Sequence, residues 1–342
     1  MMHRRRRTDT SGLRAVAGRE AVPATRLLVL LVLVGLLGLM GCSGSGGQQS
    51  AQRRGLLQPD PSLKGVQVSV GSRDFDEQVL LGQIAIATLE AVGADVRDKT
   101  NISGVLGARR ALQTSRIDLY YDYTGTGWTR YLGGAPQRDA QRLWEQTAAA
   151  DLQRTGIRWL SPYAPFSNTF GLAVNKDTAD ALGLHTITEL ARVTREQPSR
   201  LAFCSNADFA SRTDGLRGVT AAYRLAVAPT QLVQLDTAAV YSAVAKGQQC
   251  TVGAVYATDG RITSLGLRLL RDDLRYFPAY NGDPVMRDSF WRQHPGIAAA
   301  LAPVTATLDD ATMSALNAKV SVDGDDPADV ARQYLRDKGF IR

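Results

Sequence analysis

From Val66 onward, apolar positions fall in short runs separated by stretches with helical spacing. Val66 to Val70 reads as a strand, Glu77 to Val92 as a helix and Ile117 to Tyr121 as a second strand. Apolar runs too short for a helix, alternating with segments of three-to-four-residue period, are the pattern of βαβ units. The alternation resumes with a strand at Leu201 to Phe203, a helix from Gly215 to Arg224, a strand at Leu232 to Leu235, a helix from Thr237 to Lys246 and a strand from Thr251 to Tyr256. Helical patterns at Ile297 to Leu308 and Pro327 to Lys338 follow, the latter with Pro near its first turn and Gly339 just past its end. After residue 42 there is no internal repeat and no apolar run of membrane-spanning length.

The segment before Val66 is of a different kind. Residues 1–41 hold seven Arg (positions 4, 5, 6, 7, 14, 19 and 26) against Asp9 and Glu20, so most of the formal charge of +7 resides there. The remainder is 33 basic to 31 acidic residues, too near balance to require a polyanionic partner, and no nucleic-acid motif is present. The apolar run from Leu27 to Met40 is short for a membrane span and suits a signal segment. Leu39-Met40-Gly41-Cys42 resembles the bacterial lipobox, which implies cleavage before Cys42 and lipidation of its thiol; an uncleaved anchor helix is the alternative. Either places the protein outside the cytoplasm, tethered to the outer face of the cell membrane. Residues 42–65, rich in Gly, Ser and Gln as far as Gln58, are expected to form a flexible tether. With Cys42 lipidated, only Cys204 and Cys250 remain, in a compartment that permits disulfides. They are expected to pair, at a gain of about 4 kcal/mol through loop-closure entropy, the alternative being two separately buried thiols. Two α/β units in a tethered extracytoplasmic chain suit a hinged binding protein, and equally an extracellular enzyme.

The chemistry discriminates between these. Beyond the signal segment the histidines are His185 and His294, with no His-Glu-x-x-His zinc site and no visible His-based triad. A P-loop is missing too, and Gly125-Thr126-Gly127 is read as a turn rather than a dinucleotide fingerprint. Asp118 and Asp122 stand four residues apart in a strand-to-loop segment, where solvent-facing or turn roles outweigh acid–base work. No catalytic residue, metal or cofactor is expected. Aromatic residues instead recur beside turn residues where strands end: Tyr120 to Tyr123, Phe166 to Phe170, Tyr256, and Tyr276 to Tyr280. Ligands of open α/β sheets bind beyond the carboxyl ends of strands, so these rings are candidates to line a cleft.

The motifs around these rings carry a resemblance. Gly71-Ser72-Arg73-Asp74-Phe75-Asp76-Glu77-Gln78 resembles the Gly-Ser-Lys-Asn-Phe-x-Glu-Gln opening of the ProX/OpuAC-type osmolyte-binding proteins of ABC importers. Ile117 to Thr126 is similar to that family's Ile-Asp-x-x-x-Glu-Tyr-Thr-Gly-Thr, and Pro165 to Phe170 to its Pro-Phe-Asn-Asn-Thr-Tyr. Arg212 to Leu216, Tyr256 to Gly260 and Phe277 to Asn281 agree in order and spacing, so the resemblance runs from about Val66 to the end. It implies a two-lobed α/β fold of the type II periplasmic-binding class with a hinge and an interlobe cleft. The lobes would be 66–167 with 277–342, and 168–276. It also implies an aromatic cage of Tyr123, Phe170, Tyr256 and Tyr280 for a quaternary-ammonium head, with Arg73, Thr126 and Arg212 on the tail. A trimethylammonium group has no N–H to donate and is best held by ring faces, at ~0.5–2 kcal/mol each, while Arg can grip a carboxylate with two parallel hydrogen bonds. Arg73 replaces the family's usual Lys, Asp74 its Asn and Phe170 its Tyr. Two arginines favour a zwitterion such as glycine betaine, proline betaine or carnitine over choline. The expected partners are that solute and an ABC permease with its cytoplasmic ATPase, met by a monomer. The rival readings are another small ligand (an amino acid, a polyamine or an aromatic compound), a cell-wall-associated hydrolase, or a sensory or scaffolding lipoprotein.

Overall fold

Ten strands sort into two five-stranded sheets in the computed structural model, which describes residues 55–104 and 106–342. The expected signal segment, Cys42 and the first part of the expected tether lie outside the described residues. One sheet holds β1 (Gln67–Arg73), β2 (Asp95–Ile102), β3 (Leu119–Tyr123), β4 (Ile157–Trp159) and β10 (Gly282–Arg287), in the order β2-β1-β3-β10-β4. The other holds β5 (Phe170–Asn175), β6 (Phe203–Ser205), β7 (Leu232–Gln234), β8 (Val252–Tyr256) and β9 (Leu267–Leu269), in the order β7-β6-β8-β5-β9. The two share a plan. Three strands run parallel, and the next, β10 or β5, is antiparallel to both of its neighbours. Each antiparallel strand is the first one laid down after the chain passes from one sheet to the other. Its amino end therefore lies at the same edge as the carboxyl ends of the parallel strands, and that shared edge positions the site.

Strands run further than the apolar runs suggest. β1 continues past Val70 because Gly71 and Arg73 still pair with Lys99 and Ile102 of β2, across a one-residue shift of register, and β3 continues to Tyr123 because it pairs with Gly282 of β10. Hydrogen bonds to neighbouring strands carry the ladder through residues that have no apolar side chain, and so deliver Arg73 and Tyr123 to the sheet edge.

The helix Asp76–Ala91 is apolar on nearly every face because it is covered on several sides. Leu80, Leu81, Ile84 and Leu89 are fully buried with Val68, Val70 and Leu119 of the sheet and Leu301, Val304 and Leu335 of the C-terminal helices. Each such side chain stabilises the fold by about 1.5–3 kcal/mol. Asp76 and Glu77 in its first turn suit the positive end of the helix dipole. The last helix, Pro327–Asp337, starts where Asp326 accepts from the backbone N–H of Ala328, at 2.8 Å, and stops before Gly339, whose φ of 74° only glycine adopts at little cost. A second core gathers Leu172, Val174, Ile187, Leu190, Val193, Val219 and Val252 around β5 to β9.

Three local expectations are corrected. The described part of the expected tether, from Gly55 to Gly65, is docked: Leu56 and Leu57 donate backbone N–H groups to the carbonyls of Gly339 and Phe340, and Leu63 is fully buried. Burial of Leu63 against the first core outweighs the entropy of a free linker there. Thr124 to Tyr131 is helical rather than a turn; a Cβ at Gly127 would lie 2.4 Å from the Trp159 ring, so the glycine there serves close packing. Asp122 is neither solvent-facing nor in a turn. It is fully buried within β3, accepting from the Tyr120 hydroxyl and, at 2.8 Å, from the Tyr123 N–H, while Asp118 pairs with Arg287.

Cys204 on β6 and Cys250, two residues before β8, are joined by a disulfide with Cα atoms 5.7 Å apart, inside a small core with Val240 and Val244. The bridge ties β6 to the amino end of the neighbouring parallel strand β8.

Candidate functional site

A cavity of about 970 Å³ opens between the two sheets at their shared edge. Arg73, Tyr123, Thr126, Phe170, Arg212, Tyr256 and Tyr280, the residues proposed from sequence, all line it. Their positions follow from the strand plan. Arg73, Tyr123 and Tyr256 end β1, β3 and β8, Phe170 begins β5, and Tyr280 lies two residues before β10. Phe170 and Tyr256 are direct partners across β5 and β8, with ring centroids 5.1 Å apart. Phe170 also meets Tyr280 edge-on, 6.0 Å away at 75°. Tyr280 can pack beside the Thr124–Thr126 turn of helix because residue 125 is glycine: a Cβ there would sit 2.7 Å from the Tyr280 ring.

Phe75 is a fifth ring, quoted in the opening motif but given no role from sequence. It stacks nearly parallel to Tyr123 (6.3 Å, 18°) and to Tyr256 (6.4 Å, 7°), bridging the aromatics of the two sheets. Exposure of its face in the cavity, alternating with aromatic neighbours, gives a surface of negative quadrupole suited to a cation.

The two arginines differ. The Arg73 guanidinium lies 5.3 Å from the Phe75 centroid and 5.9 Å from that of Tyr123, and among the described residues it makes no ion pair. Its fork is open to the cavity. Arg212 is just as close to ring faces, 5.2 Å from Phe170 and 5.4 Å from Tyr280, but its fork is spent on Asp214, with Nε and Nη2 each 2.8 Å from a carboxylate oxygen. The Tyr280 hydroxyl donates to the same carboxylate at 2.5 Å and accepts from Arg212. Burial pushes Asp214 up, but hydrogen bonds and charge from Arg212 outweigh it and hold the carboxyl below its ordinary value.

Glu77 is fully buried in the cavity wall and accepts four hydrogen bonds. Tyr123 Oη (2.6 Å) and Asn168 Nδ2 (2.7 Å) donate to Oε1, and Thr258 Oγ1 (2.6 Å) and Asn317 Nδ2 (2.6 Å) donate to Oε2. Burial raises its pKa above the ordinary carboxylate value, against the pull of those donors. Glu77, Asn168, Thr258 and Asp214 lay inside the quoted motifs, so a signal for them existed; Asn317, on the helix Asp310–Ala318, had none.

A two-sheet α/β fold with an aromatic, arginine-bearing cavity at the interlobe edge defines an extracytoplasmic solute-binding protein. The chain belongs to the OpuAC family, the substrate binding domain of ABC-type glycine betaine transport system, which it matches over residues 66–337. It is 36% identical over 277 residues to a glycine-betaine-binding protein of Pseudomonas aeruginosa, covering 80% of this chain and 88% of that one. It is 34% identical over 281 residues to the glycine betaine-binding protein YehZ of Escherichia coli (80% and 92% covered). The solved apo structure of YehZ superposes with a TM-score of 0.66 over 80% of this chain and 99% of that one, at 33% identity. A permease/ergothioneine binding protein of Helicobacter pylori is 27% identical over 286 residues, which cover 83% of this chain and 50% of that protein. The protein is thus the component of an ABC importer that binds a small solute and delivers it to a permease, and not an enzyme. Among the described residues, no helix is long and apolar enough to cross a membrane.

Proposed function

We propose that the protein captures a zwitterionic quaternary-ammonium solute, glycine betaine, proline betaine or carnitine in preference to choline. The head lies against Tyr123, Phe170, Tyr256 and Tyr280, with Phe75 added, and the carboxylate on Arg73 and Thr126. One observation carries this reading: five ring faces and an arginine without an ion pair among the described residues share one cavity. Rings hold a cation that cannot donate hydrogen bonds, and a free planar fork selects a carboxylate. Arg212, engaged by Asp214, contributes its positive field and the N–H groups of Nη1, which lies 3.9 Å from the Asp208 carboxylate. The names of the Pseudomonas and Escherichia relatives support the same solute class.

In this reading residues 66–167 with 277–342 form one lobe and 168–276 the other. Solute shifts the population toward a closed form that docks on the permease. Lipid on Cys42 holds the monomer at the outer face of the membrane. The test is calorimetric titration of refolded, ligand-stripped protein with glycine betaine, carnitine and choline. Saturable one-to-one binding of the zwitterions, weakened at least about tenfold in Tyr256→Ala, is expected; choline binding as tightly as betaine would falsify the assignment of the carboxylate to Arg73.

A second reading concerns size. The cavity extends beyond the rings along Asn206, Asp208, Gln234 and Asp236, space that glycine betaine would leave unfilled. A betaine with a larger polar side chain, such as the ergothioneine in the name of the Helicobacter relative, would use it. Tighter binding of ergothioneine than of glycine betaine in the same titration would favour it.

A further inference from the structure

Six carboxylates line the cavity: Asp74, Asp76, Glu77, Asp208, Asp236 and Asp259. Of these only Glu77 is buried. Its environment is unlike that of Asp214, a buried carboxylate on the opposite wall whose charge Arg212 cancels. All four groups that hold Glu77 are neutral: a phenol, an alcohol and two amides. Neutral donors stabilise a carboxylate without removing its net charge, so the field of Glu77 remains in the wall. One donor is the hydroxyl of Tyr123, itself a cavity ring, and a phenol donating to a carboxylate gains electron density on its face. The other three reach Glu77 from residue 168, from the loop after β8 and from the helix Asp310–Ala318, so the charge is fixed where both lobes meet the cavity.

We infer that Glu77 is a specificity-determining residue, the built-in counter-charge that makes the aromatic cavity prefer a cationic head over a neutral one of the same shape. It acts through its field and through Tyr123 rather than by gripping the solute. This inference rests on the quaternary-ammonium reading above. It differs from a purely structural role in one respect: removing the charge should penalise a ligand with a cationic head and not its isostere with an uncharged head. Glycine betaine and 3,3-dimethylbutanoate form such a pair, the second having carbon in place of the quaternary nitrogen.

Glu77→Gln keeps the shape and removes the charge. Among the described residues Asn168 Oδ1 and Asn317 Oδ1 have no hydrogen-bond partner, so a flip of the Asn168 amide gives the new Nε2 an acceptor. Full-length protein in detergent, wild type and Glu77→Gln, is titrated with both ligands after circular dichroism has verified the fold. Wild type is expected to prefer betaine by at least about tenfold, and Glu77→Gln to weaken betaine by about tenfold while changing the isostere less than about threefold. Tyr123→Phe, which retains the charge but loses the hydroxyl, should weaken betaine only about threefold and keep most of the preference.

Equal weakening of both ligands in Glu77→Gln would make the residue structural and overturn the inference alone. So would a wild-type preference near unity, which needs no variant to measure. Folded wild-type protein that binds no trimethylammonium solute would overturn the functional reading and the role of Glu77 with it.

Discussion

The wall of the cavity built from the first sheet and the wall built from the second each present an arginine against aromatic faces, and the two are in opposite electrostatic states. Arg73, at the end of β1, has its rings at 5.3 and 5.9 Å and no ion-pair partner among the described residues, whereas Arg212 has its rings at 5.2 and 5.4 Å and a buried carboxylate across its fork. Equal residue type and equal aromatic company thus conceal different jobs. A free guanidinium costs stability to keep desolvated and repays it when a ligand carboxylate arrives; a paired one holds the wall in place whether or not ligand is there.

The sharpest way to break this comparison is to remove each arginine and ask what is lost. Arg212→Ala leaves Asp214 buried without its cation and should cost about 3–5 kcal/mol of stability in denaturant titration. Unchanged stability with abolished betaine binding would instead make Arg212 the tail anchor and reverse the assignment. Arg73→Ala should weaken glycine betaine about 10–100-fold by calorimetry, the loss of a charge-assisted bidentate contact worth about 1.5–3 kcal/mol, with stability held or raised and choline spared. The smallest effect is with acid. Asp214 is held below its ordinary value of 3.8, so its contribution to stability is fully present above that pH and is lost as pH falls through the lower folded value. Wild type should therefore lose stability more steeply than Asp214→Asn in acid unfolding below about pH 4, and parallel curves would show that the pair contributes little.

The legible part of the fold was the part with long periods. The helix Asp76–Ala91, the helix Thr237–Lys246 and the last helix declared themselves by apolar spacing and end signals within a residue or so. The three-residue strands β4 and β9 carried no period of their own; they exist because β10 and β5 offer them ladders. Gly125-Thr126-Gly127 looked like a turn because two glycines disfavour a helix, yet those glycines are what let the Tyr280 and Trp159 rings pack against one. At the site, the seven residues singled out from motifs do converge on one cavity. Phe75 was in view and unweighted, since a lone Phe at a strand end reads equally well as core. The claim of Asp214 on Arg212 was hidden because residues two apart in a loop meet only if the loop folds back.

Residue chemistry and local order were legible in the sequence itself: two α/β units, rings at strand ends and arginines among them. These follow from side-chain type and periodicity, which are local. Tertiary structure alone decided which charges remain free. Whether Arg73 is open, Arg212 spent or Glu77 held only by neutral donors depends on which side chains come within about 3 Å once the sheets are assembled, and hydrogen bonds and desolvation act over just that range.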